Sequence, residues 1–565
     1  MVSFLVTWLI LLPICTLIGL WLLNVCEVKD FSWPGDRFII SVWLGITVLC
    51  LSCISVGLIL PLSPLTGLLI GIIWIFLVYF FPKARQDFYQ LWRQISLNAL
   101  IQGFIIALGV AIFTTQQIIW FDSGLYHLGS IHWMAKFGAV PGIALIHSKL
   151  GFTSSWFAFS APLVWNWTEG KVGAISNGYL LLISFFHICF IFHKLRANIA
   201  NFSDKFIIIF LVSILFIYLA DNVNGNSLIS FSQDIPVALL IGIISWVILI
   251  ITPEKQQTAT RFNKLFFNSE FIPLLLSIGA TSIKITAVPA LGVILLFYIY
   301  KKKLSFQTCL ISLGLITILL LPNFIFSLNS SGCPLYPSNT MCLNLPWTVS
   351  QEIIESENKN IIGQENDISS MDDVGKVVRN RWSWFLSSKK IQVTVLLYLC
   401  SIVLTGLSFK NKWIFKYGQT WLFALGLLGG TFIIVVIPLI RFGIGYFLVI
   451  PSLFSANLWS KKYQKPHVLI FNNNMVKVGK YLPIFIILLL FLMGRNDFKE
   501  RIIFPAQLPE HELIKMQKND INYSYPADFK LQCWGADLPC AALEVEQNIR
   551  LRDQEKGISA GFQYM

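Results

Sequence analysis

An all-α integral membrane protein with about 12–14 transmembrane helices is the fold class this sequence predicts. Three observations predict it. Of the 565 residues, 56% are hydrophobic and only 13% are charged, whereas soluble globular proteins carry roughly a quarter charged residues. The mean hydropathy is +0.69, and apolar runs of about 17–22 residues recur, long enough to cross a hydrocarbon core as helices. Basic residues collect in short clusters between those runs, the positive-inside signature of a multi-pass protein. The alternating pattern of a membrane β-barrel is absent.

Candidate spans lie at 2–24, 38–60, 64–81, 97–114, 171–192, 206–220, 236–252, 270–287, 288–300, 305–326, 391–408, 417–439, 442–459 and 481–494. The first has no basic n-region and no A-x-A site, so it reads as a retained helix rather than a signal peptide. The stretch 270–300 is barely long enough for two passes at about 1.5 Å per residue. One tilted helix, or a pair broken around Pro289, is expected there.

Alternating the spans puts Lys83/Arg85/Arg93, Lys194/Arg196/Lys205, Lys255/Arg261/Lys264, Lys301/Lys302/Lys303, Lys410/Lys412/Lys416 and Lys461/Lys462/Lys465 on one side. The positive-inside rule makes that side cytoplasmic. The N-terminus, loops 115–170, 221–235 and 327–390, and the tail 495–565 are then extracytoplasmic. The expected organisation is a polytopic domain over 1–494 and a small outer tail, too short for a confident independent domain, with alternating patterns near 521–533. Segment 347–377 reads as a surface helix followed by a flexible loop. The net charge of +13 sits in the inter-span clusters, leaving no compact basic face for nucleic acid.

The first large outer loop, Gln117 to Ser160, holds Asp122, Tyr126, His127, His132 and His147, three of the chain's seven histidines. Asp122 is a candidate catalytic carboxylate that would deprotonate or orient an acceptor; it could equally be a helix N-cap, although the capping-box position is occupied by Leu125. Leu125, Leu128, Ile131 and Met134 or Ala135 recur at helical spacing and predict an amphipathic helix lying at the membrane interface. His127 and His132 are about 140° apart on a helix, which is not an i, i+4 metal pair. His127 shares the face of Asp122 and is a second proton-transfer candidate, or an interfacial histidine satisfied by backbone. His132 and His147 read as structural.

Polar groups in or beside apolar runs are site candidates by default. Lys284 in GATSIKITAVP and Arg441 in PLIRFGIGY are candidates for a lipid-linked phosphate. Alternatively they snorkel, or pair internally with Asp221 or Asp234. Arg379 and Arg381 form a weaker anion site. Asp221, Asn222, Asn224, Gln233 and Asp234 could bind a sugar or a divalent metal; a solvated turn is the competing reading of the first three. Asp234, at a span entrance, is the strongest of the group and is counted with Tyr126 among the substrate-binding candidates. No Walker A, G-x-G-x-x-G, H-E-x-x-H or G-x-S-x-G constellation occurs in a suitable context, so nucleotide chemistry and zinc proteolysis have no support.

Cys15, Cys50, Cys53, Cys189, Cys309 and Cys400 lie in apolar runs and read as buried small hydrophobes. Cys333/Cys342 and Cys533/Cys540 bracket short loops on the outer side and are expected to be disulfides, the alternative being two free pairs.

With Asp122 in its first outer loop, the chain resembles GT-C-type membrane glycosyltransferases, which carry an acidic residue near the start of a large outer loop. The loop follows the fourth predicted span here, whereas in many members it follows the first. The chain is also similar to bacterial polytopic proteins with D-S/T-G-L-Y-H, V-P-G, L-G-F and S-S motifs, here Asp122 to His127, Val140 to Gly142, Leu150 to Phe152, and Ser154/Ser155. These also carry S-I-K (Ser282 to Lys284), G-x-P-L-Y-P (Gly332 to Pro337) and Cys-Trp (Cys533/Trp534). The GT-C resemblance implies transfer of a sugar from a polyprenyl-phosphate donor to a glycan, lipid or protein acceptor on the periplasmic side of a bacterial inner membrane. A polysaccharide polymerase or ligase, and a transporter or flippase, are the other functions compatible with the pattern.

Overall fold

A computed structural model of the protein describes residues 1–165, 169–220, 227–252, 267–302, 306–362, 389–413, 418–436, 439–462, 499–527 and 531–565. The apolar runs become helices α1 (Val2–Val25), α2 (Pro34–Gly57), α3 (Pro64–Tyr79), α4 (Pro82–Arg93) and α5 (Leu97–Thr114). The first outer loop contributes α6 (Leu128–Phe137) and α7 (Ser155–Ser160). There follow α8 (Ile175–Arg196), α9 (Phe202–Ala220), α10 (Asp234–Ile251), α11 (Phe271–Ile283), α12 (Val288–Lys301) and α13 (Phe306–Ser331). The last helices are α14 (Gln351–Ile362), α15 (Lys389–Lys410), α16 (Gln419–Val436) and α17 (Ile440–Lys462).

Among the described residues, ten helices are long and apolar enough to cross a membrane, or eleven if the bent pair α3–α4 counts as one span. The protein is an all-α polytopic membrane protein. The count falls below the expected 12–14, in part for a physical reason. The 13 and 14 residues of α11 and α12 reach about 20 Å at 1.5 Å per residue, short of a hydrocarbon core of about 30 Å. The span expected at 481–494 lies outside the described residues, as do 363–388. The break between α11 and α12 falls at Lys284 to Ala287, just before Pro289. Hydroxyls within the spans donate back to the carbonyl four residues earlier, as Thr16 does to Leu12 and Thr47 to Trp43, which satisfies them where water is absent.

The two ends of the bundle are distinct. At one, the Met1 amine donates to the Arg501 and Ile503 carbonyls, Arg501 donates to the Ile112 carbonyl, and the Ala506 and Leu508 amides bond to Thr115 and Gly170. The N-terminus, first loop and tail therefore share an end. At the other, Arg37 meets Asp87 at 2.5 Å, and Lys194 meets Asp36 and Asp204.

The tail carries two antiparallel ribbons, β1 (Leu513–Lys518) with β2 (Ile521–Pro526) and β3 (Ile549–Leu551) with β4 (Phe562–Tyr564). Only β2 falls where the alternating pattern places a strand. The tail shares a core with the first loop: Ile521, Tyr523 and Phe562 pack with Trp133, Val140 and Ile143. This corrects the expectation for α6. Leu128, Ile131, Met134 and Ala135 face the transmembrane core while Trp133 faces the tail, so the helix is buried between two layers rather than lying on the membrane. The helix α7 dips further, with Trp156, Phe157 and Ala158 fully enclosed in the bundle.

Both expected disulfides are present, Cys333–Cys342 and Cys533–Cys540. Of the six apolar-run cysteines, Cys15, Cys50 and Cys53 are buried as expected; Cys189 and Cys309 are half-buried and Cys400 is exposed.

Candidate functional site

The loop after α5 enters a single π-helical turn, Ser123–His127, a wide turn that often occurs at functional positions. Asp122 stands immediately before it and makes no side-chain capping bond. Its carboxylate Oδ2 instead accepts from Nη1 of Arg441, at the start of α17, at 2.7 Å. The N-cap alternative is therefore not the one realised. Arg441 finds a partner the sequence did not indicate, 319 residues away.

Lys284, at the break between α11 and α12, donates to Oδ1 of Asp234 at the start of α10. This is the internal pairing considered for Lys284, and Ser232 adds a contact to the other oxygen of Asp234 at 3.3 Å. Phe442 joins the two pairs, with the Lys284 ammonium 3.8 Å and the Arg441 guanidinium 4.8 Å from its ring centre. A cation over an aromatic face gains from the ring quadrupole, more so when desolvated. Two cations and two carboxylates from four separate elements thus form one neutral cluster.

Tyr126 and His127 form its wall. His127 is buried, its ring against Tyr126 at 4.5 Å and Phe157 at 5.2 Å, with Nδ1 3.4 Å from the Ser123 hydroxyl. Burial lowers its pKa to about 4, against the opposing pull of Asp122 and Asp234. His127 is therefore neutral at pH 7. Burial would raise the Asp122 pKa, but Arg441, His127 and Lys284 together outweigh it and hold the carboxyl below its usual range. Burial, reinforced by Asp122, drives the Tyr126 phenol well above its usual value. His147 is structural as expected: Nε2 lies 3.0 Å from the Leu125 carbonyl and Nδ1 accepts the Lys149 amide.

The cluster opens on a recess of about 290 Å³ lined by Trp120, Phe121, Asp122 and Arg441. Trp120, Phe442 and Gln532 were missed by sequence reasoning, which marked Trp534 only as part of a Cys-Trp motif. Adjacency to Arg441 was the available signal for Phe442; nothing local marks the others. Asp221, Asn222, Asn224, Arg379 and Arg381 lie outside the described residues. No group of three or more His, Cys, Asp or Glu able to hold a metal occurs among the described residues, and Asp234 is engaged by Lys284.

The motifs dock on one another. A Cβ on Gly124 would sit 2.5 Å from the Trp534 ring, and the Trp534 amide donates to the Gly124 carbonyl. Gln532 donates to the Phe121 carbonyl at 3.0 Å, so the tail grips the backbone on both sides of Asp122. Gly151 of L-G-F packs on Tyr336 of P-L-Y-P. Ser154 and Ser155 bond the Ile283 carbonyl and the Ser282 hydroxyl of S-I-K. Gly142 of V-P-G has a φ of +68°, and a Cβ there would strike the Phe562 carbonyl oxygen, a position only glycine fills without strain.

Over residues 1–448 the sequence matches the family described as Domain of unknown function (DUF8201). The chain belongs to that family. Asp122, Tyr126, His127, Asp234, Lys284 and Arg441 all fall inside the DUF8201 segment, whereas Gln532 and Trp534 lie beyond it. No curated protein and no solved structure matches the chain.

Proposed function

We propose that the protein is a membrane glycosyltransferase that moves a sugar from a polyprenyl-phosphate donor to a cell-envelope acceptor, a glycan, lipid or protein, at the end of the bundle carrying the first loop. The observation that carries this reading is the Asp122–Arg441 pair opening on a recess at the edge of an apolar bundle. A carboxylate kept ionised by a neighbouring guanidinium can accept a hydrogen bond from an acceptor hydroxyl and orient it. The hydroxyl oxygen attacks the anomeric carbon as the bond from that carbon to the phosphate oxygen breaks. The hydroxyl proton passes to Asp122, with the neutral His127 ring in the wall of the same cluster. The departing polyprenyl phosphate takes the bonding electrons, and Arg441, 38% exposed, can turn its remaining N–H groups to it. The membrane, on this reading, is a bacterial inner membrane with the recess on its periplasmic side. Transfer to a growing polymer would make the enzyme a polysaccharide polymerase or ligase by the same chemistry.

The test is consumption of radiolabelled polyprenyl-phosphate hexoses and pentoses by full-length protein in nanodiscs. Turnover should fall by roughly 10²-fold or more in Asp122→Asn and in Arg441→Gln. A second reading, a transporter or flippase, is favoured by one observation: the helix break at Lys284 places a charged pair within the bundle, as transporter sites do. Substrate crossing sealed vesicles with no lipid-linked sugar consumed would establish that reading and reject the first.

A further inference from the structure

At the bundle end opposite the recess, α3 and α4 meet at an angle of 105°. The helix α3 is a lipid-facing rod, with Leu65, Leu68, Ile72 and Phe76 exposed. At Pro82 the chain turns sharply into α4, whose charged residues are Lys83, Arg85, Asp87 and Arg93. Asp87 points inward, accepting from Arg37 at 2.5 Å and Asn24 at 3.1 Å. The outward side of α4 therefore carries cations with no carboxylate.

Arg85, Tyr89, Trp92 and Arg93 stand at i, i+4, i+7 and i+8, which gathers them on one helical face about 100° wide. Tyr89 and Trp92 are 64% and 55% exposed. Arg85 lies 4.6 Å over the Tyr79 ring at the end of α3, and its buried Nε has no hydrogen-bond partner. Aromatic rings beside arginines, on a helix turned across the end of a lipid-facing one, match the headgroup layer: rings sit among the glycerol esters and guanidinium groups reach phosphates.

We propose that this face of α4 seats on anionic phospholipid headgroups, with Arg85 and Arg93 as the phosphate contacts and Tyr89 and Trp92 as anchors. The proposal is independent of the sugar-transfer reading, because α4 lies at the other end of the bundle.

The experiment equilibrates detergent-purified full-length protein with equal phosphatidylglycerol and phosphatidylcholine and counts retained lipids by native mass spectrometry. Wild type should retain phosphatidylglycerol preferentially. An arginine near an anionic surface contributes about fivefold in binding, so Arg85→Gln/Arg93→Gln should lose on the order of twenty-five-fold in phosphatidylglycerol retention. Phosphatidylcholine should be unchanged, and Arg85→Lys/Arg93→Lys should keep most of the preference. If the double glutamine variant does not fold, Arg93→Gln alone, in the exposed last turn, should show the fivefold loss. Equal retention of both lipids by wild type, as expected if a protein partner occupies the face, overturns the proposal. So does unchanged phosphatidylglycerol retention by the glutamine variants, or an equal loss of both lipids.

Discussion

Among the described residues, two ion clusters in this apolar bundle are built differently. At one end Lys194 is held by Asp36 at 2.6 Å and Asp204 at 2.8 Å, with side-chain exposures of 4%, 11% and 0%. At the other, Asp122–Arg441 and Lys284–Asp234 meet around Phe442, and the Arg441 side chain is 38% exposed beside a recess. A sealed cluster cannot exchange partners without leaving charges unpaired in a medium that solvates them poorly, so it fixes how helices pack. A cluster with one exposed cation can trade a carboxylate for a ligand at much lower cost. Charge inside a membrane protein is therefore insufficient to mark a site; access to an opening separates the second cluster from the first.

The largest effect should come from breaking the sealed cluster. Lys194→Met leaves two buried carboxylates without a cation and should cost ~3–5 kcal/mol, seen as a lost or sharply lowered thermal midpoint in detergent. Asp122→Asn reverses that balance: stability should hold within about 1 kcal/mol, as for partly exposed pairs, while sugar transfer falls by roughly 10²–10⁴-fold. A stable Lys194→Met protein, or an Asp122→Asn protein that unfolds, would erase the distinction.

Gly124→Ala sharpens the comparison at the open end, because its Cβ would meet the Trp534 ring. Overpacking of this kind costs about 1–3 kcal/mol, and the loss should shrink when Trp534→Ala is combined with it. Additive losses in that double-mutant cycle would mean that the tail does not press on the Asp122 turn.

The same burial also predicts a pH dependence. Burial lowers the pKa of His127, His132 and His147 from 6.5 to about 4, so between those values the unfolded chain binds protons the folded one refuses. Stability from this source is complete above pH 6.5 and is lost as pH falls toward 4. Thermal midpoints should drop across that window, and less steeply in His147→Gln. A flat profile from pH 6.5 to 4 would show that these rings are hydrated.

The candidate site was legible as residues and, for Lys284 with Asp234, as one candidate pair; the Asp122–Arg441 pair was not. Asp122, Lys284 and Arg441 stand out because charge is rare in such a chain, and Asp234 because it opens a span. Their pairing is not local: Asp122 and Arg441 are 319 residues apart and Lys284 and Asp234 are 50 apart. The amphipathic pattern of α6 specifies a helix, and the structure buries it between two layers. Periodicity reports that one face is apolar, and it cannot report that Phe562 and the tail cover the other.

Membrane class, the positions of most spans and the two cysteine pairs able to close short loops were legible in the sequence alone. Hydropathy sums along the chain, and cysteines nine and seven residues apart on short loops need little else to meet. Only the tertiary structure decided that α11 and α12 stop short and break at Lys284, that Phe442 joins two ion pairs, and that the tail grips the turn bearing Asp122. Each depends on which helices lie side by side, and many bundle packings satisfy the same run of hydrophobic residues.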